Sequence, residues 1–434
     1  MLKKHVLLML LFFICTAALI AGGGAEKAAE DVEEGPTRVI FYLWDDPAYP
    51  PIIDAFNNSQ DEVFVDAKWV SLNEYEAQIS TLLAGGAEMD GYMQKRSTDI
   101  FAHYNNGYIA PVDELAAEFG FDLGEVADYR DAISIDGNTL AIPFRGASWY
   151  CYYNKVIFEK AGIPTPDTYV EKGEWTWDKF IEVSAQLKEA LPELPYGSFM
   201  YTWGSANVIP TLQNGIQFID ANGKVDINDS LINSYLYRKE LEERGLIMPL
   251  TETKVTKTHY SKPFYNGETG MLLIGSWFPG HMLSGRDDGL LEGYEWGDYS
   301  LTRLPCDEAT YRTFGNPTFS HIHSKSDKKE AMFKFLAWMG GPEGAKIVAG
   351  NGLLPAYITD EVKAELSRIL PDETAVKYYT EAKTVNPQFY NKYGSAVESE
   401  LAAVMEEYLA SDMSVAELRA LLVKRLEQVA KQIQ

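Results

Sequence analysis

The sequence predicts a two-lobed α/β fold with parallel strands, and three observations support this prediction. A chain of 434 residues is longer than one ordinary hydrophobic core requires, which favours two lobes. Apolar residues alternate in 38–43 and again in 63–70, as in half-buried strands, and a helix is expected between them at 52–57. The next helix is expected to begin at a capping box in 71–74 and to end at the Gly85-Gly86 pair. Strands and helices that alternate at this spacing are typical of α/β domains.

Further elements are indicated by capping residues, turn residues and apolar periodicity. The Asn222-Gly223 pair followed by alternating Val225 and Ile227 predicts a hairpin, and the Asp-rich spacing of a calcium loop is missing there. The other expected elements are a helix that starts at Thr176, an apolar strand at 271–274, a helix at 326–339 and two amphipathic helices in 398–434.

The N-terminus predicts export. Lys3 and Lys4 precede an apolar run of about 16 residues, which is shorter than the roughly 18–20 residues that cross a bilayer, so residues 1–23 are expected to be a signal peptide. Residues 24–37 then read as a charged, flexible tether. A lipid anchor is not favoured, because Gly23 stands where an acylated cysteine would be and Cys15 follows the bulky Ile14. The expected location is the periplasm.

Charge and cysteine content exclude several classes of protein. The formal net charge is −25, which argues against nucleic acid and anionic membrane surfaces as partners. Cys151 and Cys306 remain after cleavage and are compatible with one disulfide or with two separate thiols. His321 and His323 would share one face of a strand, but they have no third ligand nearby in sequence, so no metal site and no cofactor is expected.

Three segments resemble a known family. They are GNTLAIPFRGASWYCYYNKVIFEKAG at 137–162, FYNGETGMLLIGSW at 264–277 and SKSDKKEAMFKFLAWMGGPEGAKIVAGNGLLPA at 324–356. Together with the opening strand–loop–helix, they resemble extracellular solute-binding proteins of family 1, the carbohydrate-binding components of ABC importers, and are similar to maltodextrin-binding proteins. One segment departs from the family pattern, since Met-Asp-Gly-Tyr-Met at 89–93 stands in place of an apolar Pro-Asp-Val strand.

The resemblance implies a type II periplasmic-binding-protein fold in which the chain crosses between the lobes three times. The crossings are expected near 141–145, near 297–302 and within 329–339. The N-terminal lobe would then combine 38–144 with 300–332. The C-terminal lobe would combine 145–299 with 333–434.

A sugar presents an apolar face and a rim of hydroxyls, so its site needs aromatic rings together with charged or amide side chains. Asp46 and Arg145 are the strongest polar candidates, because each lies beside a candidate aromatic residue and in a loop that the resemblance assigns to ligand contact. The aromatic candidates are Trp44, Trp149, Trp203 and Trp277, and the weaker polar ones are Arg96, Asn214 and Asn316. Core packing is the alternative for each Trp and is favoured for Trp69, Trp177 and Trp338 in their periodic stripes; a surface or turn role is the alternative for the weaker polar residues.

The expected function is capture of a carbohydrate in the cleft between the lobes and its delivery, by a monomer, to the permease subunits of an ABC importer. No Gly-x-Ser-x-Gly, His-Glu-x-x-His, P-loop or dinucleotide motif is present, so an enzyme is not expected. The alternative is a secreted glycoside hydrolase or lyase, because 63 acidic residues leave a catalytic carboxylate pair open. The sequence leaves the identity of the sugar open and is also compatible with a polyol.

Overall fold

The computed structural model describes residues 35–433, apart from 73, 95–96, 124–128, 130–132, 221, 382–383, 388 and 390. The predicted signal peptide and most of the predicted tether lie outside these residues. Within the described ranges, no helix combines the length and the apolar character needed to cross a membrane.

The strands of the described residues are, in chain order, β1 Thr37–Trp44, β2 Val63–Val70, β3 Gly91–Gln94, β4 Ile109–Ala110, β5 Ser134–Ile135, β6 Asn138–Thr139, β7 Ile142–Arg145, β8 Trp149–Asn154, β9 Tyr196–Met200, β10 Thr269–Gly275, β11 Tyr299–Arg303, β12 Arg312–Gly315, β13 Thr318–His323 and β14 Thr384–Pro387.

The α-helices of the same residues are α1 Pro50–Ser59, α2 Tyr75–Gly85, α3 Ser97–Asn105, α4 Asp113–Phe119, α5 Lys155–Ala161, α6 Pro166–Glu171, α7 Trp177–Ala190, α8 Gly204–Asn207, α9 Ile209–Gln213, α10 Asp229–Glu243, α11 Leu250–Thr256, α12 Ser261–Tyr265, α13 Phe278–Asp287, α14 Lys329–Gly340, α15 Pro342–Gly350, α16 Asp360–Ile369, α17 Glu373–Tyr379, α18 Gly394–Leu409 and α19 Val415–Gln432.

The first main sheet has the strand order β2-β1-β3-β13-β4, and β7 also pairs with β13. The strands β1, β2 and β3 are parallel, as the opening βαβα pattern predicts, whereas β13 runs antiparallel to β3, β4 and β7. The core of this first sheet lies between its strands and the helices α1 and α14. There the rings of Phe41 and Phe56 meet the ring of Phe335 edge-on, at 5.2 and 5.0 Å. Such edge-to-face pairs are favoured by aromatic quadrupoles.

The second main sheet has the strand order β11-β8-β10-β9. All residues of β8 and β10 are buried, which is typical of strands covered on both faces. The helix α7 contributes Trp177 and Phe180 to this core, and the two C-terminal helices add Leu401 and Leu422. The predicted pair of C-terminal amphipathic helices is thereby confirmed.

Two local predictions were wrong. The helix α2 begins at Tyr75, with Glu74 at its N-cap and no side-chain capping bond, so the expected capping box at 71–74 does not form. Trp69 was expected to pack in the core, but 43% of its surface is exposed, because β2 is the edge strand of the sheet and Trp69 lies near its end.

The hairpin predicted at Asn222-Gly223 is present. Ile219 and Val225 form a bridge, and Gly223 has the positive φ of 81° that such turns favour.

The chain passes between the two hydrophobic cores three times, but two of the passages lie elsewhere than expected. The first joins β7 to β8, as predicted. The second joins β12 to β13 rather than lying near 297–302, because β11 pairs with β8 in the second sheet. The third follows α15 rather than lying within α14, whose buried residues all belong to the first core. These pairings argue against placing 300–303 in the N-terminal lobe, and the remaining lobe boundaries stay a prediction.

The three passages are bonded to one another. The amide of Gly146 donates to the carbonyl of Leu354 at 2.8 Å, and the amide of Ala356 donates to the carbonyl of Phe144 at 3.1 Å. A Cβ atom on Gly146 would lie 2.9 Å from the carbonyl oxygen of Pro355, so this close approach requires glycine. The second passage joins the same group, because Thr318 pairs with Arg145.

Thr313 fixes the second passage to the start of β8. Its hydroxyl accepts a bond from the amide of Trp149 at 3.1 Å and donates one to the carbonyl of the same residue at 3.0 Å. The amide and the carbonyl of Trp149 are buried, so water cannot replace the Thr313 hydroxyl as their partner if it is removed.

The two cysteines are not bonded to each other. Cys151 is buried in β8, and Cys306 is half-buried after β11; both are free thiols. Burial raises the pKa of both thiols above the usual value, which lowers the share of the nucleophilic thiolate form.

We predict that Thr313→Val lowers the free energy of unfolding by roughly 1–3 kcal/mol, because it leaves two buried backbone groups of Trp149 without their partner. Urea unfolding followed by fluorescence measures this change. The control is Thr302→Val, since Thr302 is equally buried and its hydroxyl has no bonding partner in the described part of the chain. Equal unfolding midpoints for the two variants would contradict the prediction.

Candidate functional site

The candidate site lies where strand ends of the two sheets meet beside the passages. In the first sheet β1, β3 and β7 end at this edge, and β13 begins there. In the second sheet β9 and β10 end where β8 begins, since Gly275 pairs with Trp149. Ligand crevices of open α/β sheets lie beyond the carboxyl ends of strands, so the side chains at these ends are the candidates for ligand contact.

Five aromatic side chains gather at this edge of the second sheet, and we call them the aromatic cluster. Trp149 opens β8, Trp203 with Tyr201 follows β9, Trp277 follows β10, and Tyr260 precedes α12. The ring of Trp277 lies 5.7 Å from that of Trp203 and 5.8 Å from that of Trp149. Tyr201 meets Trp203 edge-on at 4.9 Å and Tyr260 at 5.2 Å.

The members of the aromatic cluster differ in exposure, and so in what they can contact. Trp149 is buried and stacks on Phe314 at 5.0 Å, which makes it a support for its neighbours. Trp277 is half-buried, and Trp203 has 39% of its surface exposed. Trp203 and Trp277 are therefore the two indoles of the cluster that offer a free surface.

Two constraints fix the ring of Trp277. Its indole nitrogen donates to the hydroxyl of Tyr260 at 3.1 Å. The ring also lies against the backbone of Gly275, where a Cβ atom would come within 2.0 Å of it, so only glycine leaves room for this orientation. In this position Trp277 packs against both hydrophobic cores.

A charged group from the first sheet lies at the same edge, and we call Asp46, Tyr49 and Arg145 the polar group. Arg145 ends β7 and is only 7% exposed, and its Nη1 donates to the hydroxyl of Tyr49 at 2.7 Å. A turn holds the other two members together, since the amide of Tyr49 donates to the carbonyl of Asp46 at 3.0 Å and the amide of Ala48 to its carboxylate at 3.0 Å.

The electrostatics of the polar group keep Arg145 charged. Burial by itself lowers the pKa of Arg145, but the neighbouring Tyr49 and Asp46 outweigh burial and raise it above the usual value. Burial also raises the pKa of Tyr49, so its hydroxyl stays protonated. Beside the Asp46 side chain, the polar group therefore offers the Arg145 cation and the protonated Tyr49 hydroxyl.

His281 connects the polar group to the aromatic cluster. Its Nε2 lies 3.2 Å from the hydroxyl of Tyr260; that oxygen already accepts from Trp277, which leaves its hydrogen free to donate to His281. Burial lowers the pKa of His281, Asp46 raises it and Arg145 lowers it further. His281 thus lies within the electrostatic reach of both charged members of the polar group.

The structure brings together five of the predicted site residues, which are Asp46, Arg145, Trp149, Trp203 and Trp277. Trp44 instead lies in the first core, where its ring meets Tyr49 and Tyr75 edge-on at 5.4 and 5.2 Å. Arg96 lies outside the described residues.

The two predicted asparagines lie in different parts of the molecule. Asn214 donates to the hydroxyl of Ser230 at 3.1 Å and lines a separate pocket of about 220 Å³ with Trp177 and Cys306. Asn316 is half-buried in the passage between β12 and β13, and β13 pairs with β7, the strand that ends at Arg145. Ligand contact by any of the predicted residues stays a prediction.

Sequence reasoning missed Tyr49, Tyr260, His281 and Phe314. The chain has 26 tyrosines, and nothing local distinguishes the two that support Arg145 and Trp277. For Tyr49 a signal did exist, since it stands between Asp46 and the helix-starting Pro50-Pro51 pair, at the end of a predicted strand. His281 and Phe314 become neighbours of the site only through tertiary pairing.

Comparison with known proteins finds curated relatives that bind a phosphate ester and relatives that bind an oligosaccharide. The sn-glycerol-3-phosphate-binding periplasmic protein of Salmonella typhimurium is 25% identical over 183 residues, which cover 39% of each chain. The arabinooligosaccharide-binding protein of Halalkalibacterium halodurans is 23% identical over 246 residues, 54% of this chain and 48% of the relative. The chain thus spans about two fifths to half the length of these curated relatives.

Solved structures resemble the whole two-lobed fold. A sugar transporter protein from Rhizobium etli, in an open conformation, has a TM-score of 0.75 at 25% identity, over 92% of this chain and 100% of that one. A substrate-binding protein from Listeria monocytogenes, in complex with cycloalternan, has a TM-score of 0.75 at 19% identity, over 92% and 99%. The expected type II periplasmic-binding-protein fold is thereby confirmed.

The sequence of residues 43–346 matches the family described as bacterial extracellular solute-binding protein, and this region contains the polar group, the aromatic cluster and two of the three passages. The chain belongs to the bacterial extracellular solute-binding protein family.

Proposed function

We propose that this protein captures a carbohydrate in the crevice between its two sheets and delivers it to the membrane subunits of an ABC importer. The observation that carries the proposal is that aromatic rings stand at the strand ends of one sheet and the polar group at the strand ends of the other, with His281 bonded to Tyr260 and within the electrostatic reach of Asp46 and Arg145. An exported, periplasmic monomer without cofactor suits this role.

The chemistry of the two groups matches the two surfaces of a sugar. Trp277 and Trp203 offer apolar ring surface for the C–H face of a pyranose. Arg145 and Asp46 offer charged donors and acceptors, which form stronger hydrogen bonds with hydroxyls than neutral groups do. Because Arg145 already bonds to Tyr49 and lies near Asp46, the polar group suits a neutral, hydroxyl-rich ligand better than a phosphate.

Closure of the lobes would report that the site is occupied. The three passages lie side by side, which is the arrangement of a hinge. A ligand shifts such a protein toward the closed state only if it binds that state better, and contacts to both sheets at once provide that difference. In this proposal the protein is not an enzyme and returns its ligand unchanged.

We predict that Trp277→Ala weakens sugar binding by roughly 1–3 kcal/mol, the usual loss at a central aromatic anchor. Isothermal calorimetry measures the affinity, and circular dichroism confirms folding. The control is Trp69→Ala, which removes another tryptophan, one that is more exposed and lies on the edge strand of the first sheet. Unchanged affinity in Trp277→Ala would place the ligand elsewhere.

We predict that Arg145→Lys impairs binding although it keeps the positive charge, because lysine lacks the planar fork that bonds Tyr49 and the ligand together. The expected loss is about tenfold in affinity, comparable to one charge-assisted hydrogen bond. Arg303→Lys is the control, since Arg303 ends β11 in the second sheet and bonds to Glu381 instead of the polar group. Equal affinity for wild type and Arg145→Lys would reduce Arg145 to a structural residue.

The function itself is tested by a thermal-shift panel of maltotriose, arabinotriose, D-tagatose and sn-glycerol 3-phosphate. A ligand at 100 times its dissociation constant adds about 2.7 kcal/mol of stability, which raises the melting temperature measurably. We expect a sugar to give the largest shift, to reduce the radius of gyration in small-angle scattering, and to be recovered intact by chromatography.

Three results would contradict this proposal. A shift with sn-glycerol 3-phosphate alone would assign the site to a phosphate ester. Shorter sugars released during incubation would identify a hydrolase. Binding without compaction would argue against lobe closure.

A further inference from the structure

Gln94, the last residue of β3, is buried with no partner for its amide. Only 1% of its surface is exposed, and within the described part of the chain neither its Oε1 nor its Nε2 forms a hydrogen bond. A side-chain amide has two donor hydrogens and two acceptor positions, so its whole bonding capacity is unused.

A buried amide without hydrogen bonds destabilises a folded protein, and such groups are rare in native structures. The sheet itself gives no reason for glutamine here. The neighbouring position Met93 is apolar, and the residue that pairs with Gln94 on β13 is the buried Phe319. An apolar side chain of similar size would suit the packing better.

The position of Gln94 connects it to the candidate site. On one side of β13, Phe319 pairs with Gln94. On the other side, the preceding residue of β13, Thr318, pairs with Arg145. On its opposite side, β3 is parallel to β1, whose end leads directly to Asp46. Gln94 therefore lies in the row of strand ends that carries Asp46 and Arg145, and between these two residues.

We propose that Gln94 is a specificity-determining ligand-binding residue whose amide both donates to and accepts from hydroxyls of the solute. This inference rests on the proposed function and deepens it. An amide that uses both of its ends matches a hydroxyl, which also donates and accepts, whereas a phosphate oxygen only accepts. Because so little of Gln94 is exposed, binding includes a rotation of its side chain toward the crevice.

The test is Gln94→Met, which keeps the length and volume of the side chain and removes the amide. The probe is whichever of maltotriose, arabinotriose and D-tagatose stabilises the wild type most. We expect the variant to bind this sugar about tenfold more weakly, the loss expected for two net hydrogen bonds. Its melting temperature without sugar should equal or exceed that of the wild type, because an unpaired buried amide has been removed.

The matched control is Thr302→Val, which removes another unpaired buried group, on β11 of the second sheet. It should leave the affinity unchanged. If Gln94→Met binds the sugar as tightly as the wild type does, the inference is overturned, whatever the melting temperature. If the wild type itself binds none of the three sugars, the proposed function fails instead, and the two failures are thus distinguishable.

Discussion

The arrangement of the molecule depends on the bonding between its three passages at Arg145 and Gly146. The first and third passages share two backbone hydrogen bonds there, and the second pairs with the same residue, Arg145. Gly146 permits this approach, because any side chain would collide with the carbonyl of Pro355. Arg145 is at the same time a member of the polar group, so a ligand that contacts it acts on the junction between the lobes directly, with no intermediate element.

Burial of Arg145 has a cost that explains its surroundings. A cation taken out of water is strongly destabilising unless other groups compensate it. Here the Tyr49 hydroxyl and the Asp46 carboxylate provide that compensation, and both come from the turn that precedes α1. The Pro50-Pro51 start of α1 fixes this turn, and the polar group is thereby set before any ligand arrives.

Local pattern predicted the elements well and their partners less well. The opening strands and helices, the cap of α7 at Thr176 and the C-terminal helices follow from periodicity and capping, which act within a few residues. The sequence predicted 300–332 for the N-terminal lobe, whereas β11 pairs with β8 in the second sheet; this pairing depends on residues about 150 positions away, which no local signal encodes. The candidate site shows the same limit: Trp277 and Arg145 stand at strand ends and could be found, whereas His281 becomes a neighbour only in three dimensions.

The two sheets contribute different chemistry to the crevice, and this division has a mechanical consequence. Hydrogen-bonding groups stand at the strand ends of the first sheet, at Asp46 and Arg145, whereas free aromatic surface stands at those of the second, at Trp203 and Trp277. A hydroxyl-rich ring needs both kinds of contact, so neither sheet alone satisfies it. For the proposed ligand, the binding free energy would then be fully available only when the two sheets approach one another. A ligand can shift a conformational equilibrium only by its difference in affinity between the states, and in the proposed function this division of groups would supply that difference.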